Sequence, residues 1–365
     1  LLGKKIYPIG YGCGIGNYTK NYDYRLIKNI IKQAYHIGYN FFDTAPVYGK
    51  GLSEKYLGSA LNLEKKDKCI IATKISPEML SAKNINKSVL KSKKNLGVDI
   101  IDLVQLHWPN PNIDIKESID ALLELKNKNI INGIGICNYD FNEIKKIYKY
   151  YKQNILSTFQ TEYNFFDRTI ENKIKKFLKK KKVHVLAYSP LAQGRIYNGK
   201  SQKKILLDLS KKYGLSIDQI VLNWLVSQGK SIPIPNTLNL DRLEKNFSSI
   251  QTKIVSKDLL QISEVCNTPI KKLSTQKIIV KNKLNKKVYT SIKQAKTNKF
   301  KMSPSPIELS KKLMVNEKMK PIRVKLEKKG SKTKLFLLEG RLRFWAWVIA
   351  FGWKKNIPTL VWHND

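Results

Sequence analysis

The sequence predicts a (β/α)8 barrel followed by a small α+β unit, and three observations carry that prediction. Short β-branched runs alternate with longer segments of helical period from Ile6 to about Cys266. Eight strands with helical segments between them, over about 260 residues, match a closed barrel better than an open doubly wound sheet. The strand runs are near-continuously apolar, as parallel strands covered by helices must be. With 365 residues, the chain holds one barrel-sized domain and an appendage.

In order, the strands are expected at Ile6–Gly12, Asn40–Thr44, Cys69–Ile75, Ile100–His107, Ile131–Asn138, Thr158–Tyr163, Val183–Ser189 and Ser231–Pro235. Helical periodicity falls between them at Tyr24–Ile37, Leu52–Leu61, Asn84–Leu96, Ile115–Lys128, Phe141–Tyr151, Ile170–Lys180 and Ile217–Val226. Gly10, Gly12, Gly14 and Gly16 do not fit GxGxxG, and no acidic residue follows about 20 positions on, so they belong to the first strand and its loop. Residues 1–266 are therefore assigned to the barrel. Residues 267–301 are polar and Lys-rich, and are expected to be a basic linker or extension. Order returns over 302–365, with a helix at Pro306–Leu313 opened by Ser305 and strands at Ile322–Leu326 and Leu335–Leu338. A second helix at Arg341–Phe351 and a last strand at Pro358–Trp362 complete the unit.

Hydrophobic residues make up 42% of the chain and aromatics 10%, enough for a full core and too much for general disorder. The formal net charge is +40, and the last 97 residues hold 25 Lys and Arg against 5 Asp and Glu. Such a balance fits an anionic partner, nucleic acid or membrane surface. Only seven of the 68 basic residues are arginine, whereas base readers favour arginine forks, so drift toward Lys, Asn and Ile is the preferred explanation. Cys13, Cys69, Cys137 and Cys266 are widely spaced and form no metal-ligand pattern, so no metal is expected. They fit reduced, buried thiols. With no signal peptide at the start and no apolar run near 20 residues, a cytoplasmic chain without membrane insertion is expected.

The chemistry of such a barrel sits at the C-terminal ends of its strands. Asp43 ends the second strand and Tyr48 follows in its loop. Lys74 lies on the third strand, and His107 ends the fourth. Each residue alone has an ordinary structural use: a helix cap, a core phenol, a satisfied histidine. Four in register on three neighbouring strands make a chemical constellation. A phenol titrates near pH 10 in water. An adjacent ammonium is expected to lower that value, a carboxylate to hold the ammonium, and an imidazole to hydrogen-bond a substrate oxygen.

These strings resemble the aldo-keto reductase family over about residues 3–266. The matching segments are Asp43-Thr44-Ala45-Pro46-Val47-Tyr48-Gly49, Gly51-Leu52-Ser53-Glu54, Thr73-Lys74 and Leu103-Val104-Gln105-Leu106-His107. Gly133-Ile134-Gly135-Ile136-Cys137-Asn138, Gln160-Thr161-Glu162-Tyr163-Asn164 and Tyr188-Ser189-Pro190-Leu191 continue the match in order. The resemblance implies NAD(P)H-dependent reduction of an aldehyde or ketone, with Tyr48 as general acid tuned by Lys74 and Asp43, and His107 orienting the carbonyl. It further implies that Asn138 and Gln160 hold the carboxamide and that Tyr188 stacks on the nicotinamide. Ser189 and Leu191 would lie along the pyrophosphate, and Gly12, Cys13 and Gln193 would also bind the cofactor. Asn236, Thr237, Arg242 and Asn246 would meet the adenosine end. There the chain departs from the family pattern, with Asn236 in place of a common lysine and Lys245 in place of a common glutamate. NADPH is preferred and NADH is the alternative, because Arg242 is suited to a 2′-phosphate. Trp108 is expected to wall the substrate pocket.

The C-terminal segment resembles the ParB/sulfiredoxin-like domain through Pro321-Ile322-Arg323-Val324, through Leu337 to Ala346, and through Gly352 and Ile357-Pro358. The resemblance implies an anion site at Gly340, Arg341 and Arg343 that takes nucleotide or nucleic acid. Sulfiredoxin activity would need a cysteine in residues 339–343, where there is none. The alternative to catalysis is thus a nicotinamide-dependent sensor whose C-terminal unit is the effector.

Overall fold

The computed structural model describes residues 1–14, 23–61, 63–151, 154–197, 200–265, 270–281, 289–315, 319–329 and 332–363. The chain divides into two compact units. The first comprises Leu1–Pro109, Ile115–Tyr197 and Ser201–Asn267; the second comprises Thr268–Asp365 with the short segments Asn110–Asp114 and Asn198–Lys200. Gly16 and Cys266 lie outside the described residues.

The first unit alternates strand and helix. Its elements run β1 (Tyr11–Gly12), α1 (Tyr24–Ile37), β2 (Phe41–Asp43), α2 (Leu52–Ala60), α3 (Leu63–Asp67), β3 (Ile70–Ile75), α4 (Ala82–Leu96), β4 (Ile101–Leu106), α5 (Ile115–Asn127) and β5 (Ile131–Cys137). They continue as α6 (Phe141–Tyr150), β6 (Leu156–Glu162), α7 (Ile174–Lys180), β7 (His184–Tyr188), α8 (Lys200–Tyr213), α9 (Ile217–Ser227), β8 (Ser231–Pro233), α10 (Leu240–Ser248) and α11 (Ser256–Val265). The eight strands form one sheet in sequence order, and every pairing is parallel. The Gly10 and Gly12 N–H groups donate to the Pro233 and Pro235 carbonyls at 3.0 Å, so the two outer strands meet. Each strand is buried on both faces, which explains why it reads as a continuous apolar run.

Local chemistry sets the helix ends. Asp23 accepts from the Arg25 N–H to open α1, and Gly38, at φ 118°, closes it. Asp140 with Glu143 and Ser216 with Gln219 form reciprocal caps at α6 and α9. The helix expected from Ile170 starts at Ile174, because Asp167 engages the Thr169 N–H and hydroxyl and holds the chain in a turn. The floor of the barrel is apolar, packed from Phe41, Ile70, Leu103, Leu186 and Ile232 with Leu1, Leu2 and Ile6 against them.

The second unit runs β9 (Ile270–Ser274), β10 (Ile278–Ile279), α12 (Ile292–Lys296), α13 (Pro306–Val315), β11 (Ile322–Lys329), β12 (Lys332–Glu339), α14 (Arg341–Phe351) and β13 (Asn356–His363). Its sheet has the order β10-β12-β11-β13-β9. Of residues 267–301, expected to be a basic linker or extension, the described ones contribute β9, β10 and α12 to this unit. Residues of β9 pair antiparallel with β13, β10 pairs parallel with β12, and Tyr289 and Ala295 are buried in the core with Phe344, Trp345 and Trp347. The lysines of β9 are exposed on a sheet edge, where charge deters pairing with another chain.

Gly58 marks the tightest helix contact. A Cβ there would stand 2.6 Å from the carbonyl oxygens of Asn95 and Leu96 at the end of α4. Those atoms are backbone and cannot swing aside. Gly58→Ala is expected to destabilise the chain by about 1–3 kcal/mol, read as a lowered urea midpoint with an unchanged slope. An unchanged midpoint would show that the two helices separate freely.

Candidate functional site

The site is built by the two-residue period of the strands. Asp43 pairs with Ala72 across β2 and β3, so Lys74 lies one step further along the same face. Lys74 pairs with Gln105, and His107 follows two residues later, directly after β4. Gly135 leaves room for this polar layer, since a Cβ there would lie 2.2 Å from Thr158 Oγ1 and 2.9 Å from Gln105 Cγ.

Lys74 is fully buried and its ammonium has three partners. Nζ donates to Asp43 Oδ2 at 2.5 Å and to the Thr44 carbonyl at 2.9 Å, and it lies 3.4 Å from the Tyr48 hydroxyl. Burial alone would pull the ammonium down. Asp43 outweighs it, helped by the Tyr48 phenol, and Lys74 is held above the ordinary lysine range. The other carboxylate oxygen, Asp43 Oδ1, accepts from Gln160 Nε2 at 2.8 Å and Gln105 Nε2 at 3.1 Å.

Tyr48 sits in a turn followed by Gly49, Lys50 and Gly51, all at positive φ, which directs the chain into α2. A Cβ on Gly14 would approach the Tyr48 ring at 3.2 Å, so glycine there lets the phenol lie against the β1 loop. The expected lowering of the Tyr48 phenol does not occur. Burial raises it, and the opposing pull of Lys74 is countered in turn by Asp43. The physical reason is that the carboxylate neutralises the ammonium that would have favoured the phenolate. The His107 ring stands perpendicular to the Tyr48 ring with centroids 6.0 Å apart. Burial, then the Lys74 charge, pushes His107 down to about 3, so the imidazole is neutral throughout the physiological range.

The residues expected to hold a dinucleotide fall in two groups. Asn138 and Ser189, after β5 and β7, are non-glycine residues at φ 65° and 47°, a strained backbone typical of functional positions. The Tyr188 phenol donates to Asn138 Oδ1 at 3.0 Å, and Asn138 Nδ2 donates to the His107 carbonyl at 3.2 Å. Tyr188, Ser189 and Leu191 are half-buried and Gln193 is exposed, so this rim can receive a flat heterocycle and its linker. Gln160 Nε2 donates to Asp43 Oδ1, and Trp108 is half-buried beside His107. At the far group, Asn236 donates to the Gly12 carbonyl, Thr237 accepts from Tyr11, and Asn246 is buried. Arg242 is exposed in the first turn of α10. The Cys13 N–H is bonded to the Asp43 carbonyl and the Cys13 carbonyl to Ser53.

Sequence reasoning had not given Gln105, Ser53 or Glu54 a role. Glu54 is fully buried and accepts from Thr73 Oγ1 at 2.7 Å and Asn95 Nδ2 at 2.9 Å, fixing the strand next to Lys74. The signal for Gln105 was its spacing, two residues before His107 on the inward face. Among the described residues no three His, Cys, Asp or Glu side chains are placed to hold a metal. No helix among them is long and apolar enough to cross a membrane.

Residues 8–267 match the pattern of the aldo/keto reductase family. The chain belongs to that family, and with it to the NAD(P)H-dependent oxidoreductases. It is 25% identical over 240 residues to methylglyoxal reductase YeaE of Escherichia coli, spanning 66% of this chain and 84% of that protein. It is 33% identical over 173 residues to aldo-keto reductase YhdN of Bacillus subtilis, spanning 45% of this chain and 51% of that protein. The thermostable aldo-keto reductase Tm1743, solved with the inhibitor epalrestat, superposes with a TM-score of 0.67 at 28% identity, covering 72% of this chain and 96% of that one. An aldo/keto reductase from Klebsiella pneumoniae, solved with NADP and acetate, shares the fold at a TM-score of 0.67 and 22% identity, over 71% of this chain and 91% of that one.

In the C-terminal unit, Gly340, at φ 89°, opens α14, and no side chain caps that helix end. Arg343 donates to the carbonyls of Lys320 and Pro321 at 2.7 and 3.0 Å and lies 3.8 Å from Glu339, which also binds the buried Arg323. Arg341 donates to the Leu338 carbonyl at 3.2 Å. Much of the arginine set is thus committed within the unit.

The Lys74–Asp43 pair gives a stability test. Lys74→Met leaves a buried carboxylate without its counter-ion, and a loss of about 3–5 kcal/mol is expected. The double variant Lys74→Met/Asp43→Asn should recover part of it, measured by denaturant unfolding. Equal loss in the single and double variants would show that the pair is not coupled.

Proposed function

We propose that the chain reduces an aldehyde or ketone to an alcohol with NADPH, Tyr48 delivering the proton. The observation that carries the reading is the Lys74 ammonium, bound by Asp43 and Thr44 and facing the phenol beside a neutral imidazole. The nicotinamide, when bound, supplies the hydride. Tyr48 holds its proton at neutrality, because burial raises its titration, and gives it to the carbonyl oxygen as charge develops there. Lys74 stabilises the phenolate that remains, and Asp43 keeps Lys74 charged and in place. The neutral His107 donates an N–H to the same oxygen and so orients the carbonyl. Asn138 and Tyr188 hold the nicotinamide end, and Arg242 meets the 2′-phosphate. That the Klebsiella pneumoniae relative was solved with NADP supports the choice of NADPH. The Escherichia coli relative is a methylglyoxal reductase, which makes small dicarbonyls the first substrates to try.

A second reading concerns the C-terminal unit alone, as an anion site of ParB/sulfiredoxin-like type. It is supported by the uncapped start of α14 and by Arg341 Nε, which is buried without a hydrogen-bond partner. Binding of a nucleoside triphosphate that weakens in Arg341→Ala and falls with salt would uphold it; binding indifferent to both would remove it.

Tyr48→Phe is expected to lower kcat by about 10²–10⁴-fold while NADPH still binds. The wild-type reductive kcat/KM should stay flat from about pH 5 to about pH 9, with no inflection near the ordinary histidine value, and fall as the phenol titrates above that range. Loss of cofactor binding in Tyr48→Phe, or a step near pH 6.5, would reject these roles.

A further inference from the structure

Three elements beyond β7 and β8 converge beside the cofactor rim without a part in the proton transfer. The turn Ala192–Tyr197 follows β7 with Ala192, Gln193 and Gly194 all at positive φ, and it ends on Tyr197, whose side chain is 45% exposed. The Tyr197 phenol hydrogen-bonds Asp218, in the first turn of α9, and lies within electrostatic reach of Arg242, in the first turn of α10. Helix α9 packs against both that turn and α10. The start of α10 is fixed, since Asn239 accepts from the Arg242 backbone N–H at 2.9 Å. The neighbouring acid, Asp241, is taken by Lys245 at 2.8 Å.

One atom in this cluster lacks a use within the protein. Asp218 Oδ1 is buried and receives no hydrogen bond. The first turn of α9 supplies no donor to that oxygen. A buried acceptor left unpaired is costly, and a ligand N–H placed there relieves the cost.

We propose that Asp218 is the residue that reads the purine of the cofactor: Oδ1 accepts the exocyclic amine of adenine, Tyr197 orients the carboxylate, and Arg242 covers the ring face. The inference rests on the dinucleotide reading given above. An ionised carboxylate only accepts hydrogen bonds. Adenine presents an amine donor at its 6-position, whereas a 6-oxo purine sets an acceptor against the carboxylate. A site built to pair with a donor rejects the analogue that lacks it.

The test is equilibrium binding, by NADPH fluorescence and titration calorimetry, of NADPH and of its hypoxanthine analogue to the full chain. Wild type should bind NADPH at least about tenfold more tightly than the analogue. Asp218→Ala should weaken NADPH by about the same factor and leave the analogue unchanged, so that the preference vanishes. Tyr197→Phe should reduce the preference in part, because the ring remains while the bond to Asp218 is lost. Circular dichroism verifies that each variant is folded. Equal affinity of wild type for both nucleotides, or a preference that survives Asp218→Ala, would overturn the proposal and leave the dinucleotide reading intact. Failure of wild type to bind either nucleotide would overturn both.

Discussion

A buried ammonium–carboxylate pair inside a parallel barrel sets the terms for everything around it. Lys74 and Asp43 are both out of water, so each remaining lone pair and proton must find a partner. Gln105 and Gln160 answer for Asp43; Thr44 and Tyr48 answer for Lys74. Gly135 gives up its side chain so that Gln105 and Thr158 fit, and Ser53 ties the Asp43 segment to the β1 loop through Thr44 and Cys13. The apolar floor of Phe41, Leu103 and Ile232 excludes water from below. The polar layer can then be strong only because it is fully paired.

The barrel strands were legible because their apolar runs are bounded by turn residues and because the sheet is covered on both faces. Asp43, Tyr48, Lys74 and His107 were legible as strand-end chemistry, and the structure brings them together. The direction of the Tyr48 shift was not legible. It depends on how far Asp43 cancels Lys74 and on burial, neither of which spacing reveals. Gln160 reads as a ligand amide in sequence, and the bond from its Nε2 to Asp43 was not legible there.

The second unit was harder to read for a different reason. Strand β9 reads Ile270-Lys271-Lys272-Leu273-Ser274, with two lysines in five residues, and its hydrophobic signal is weak because it lies at an edge. Strand β10 is two residues long. Sheet membership there comes from pairing with β13 and β12, far along the chain, which no local window contains. Helix α8 was missed where five lysines in fourteen residues dilute the period, and the short helices α10 and α11 were missed beside it, whereas α14 was found because its apolar residues are contiguous.

The binding of Lys74 has a chemical consequence beyond acid strength. Neutral amines condense with aldehydes to imines, and this chain carries 61 lysines. An ammonium held above its normal range and bound by Asp43 and Thr44 has no free electron pair to attack a carbonyl. The arrangement that keeps Lys74 charged beside Tyr48 therefore also makes it inert. A lysine can lie buried beside a carbonyl-reducing site without being consumed by its substrates.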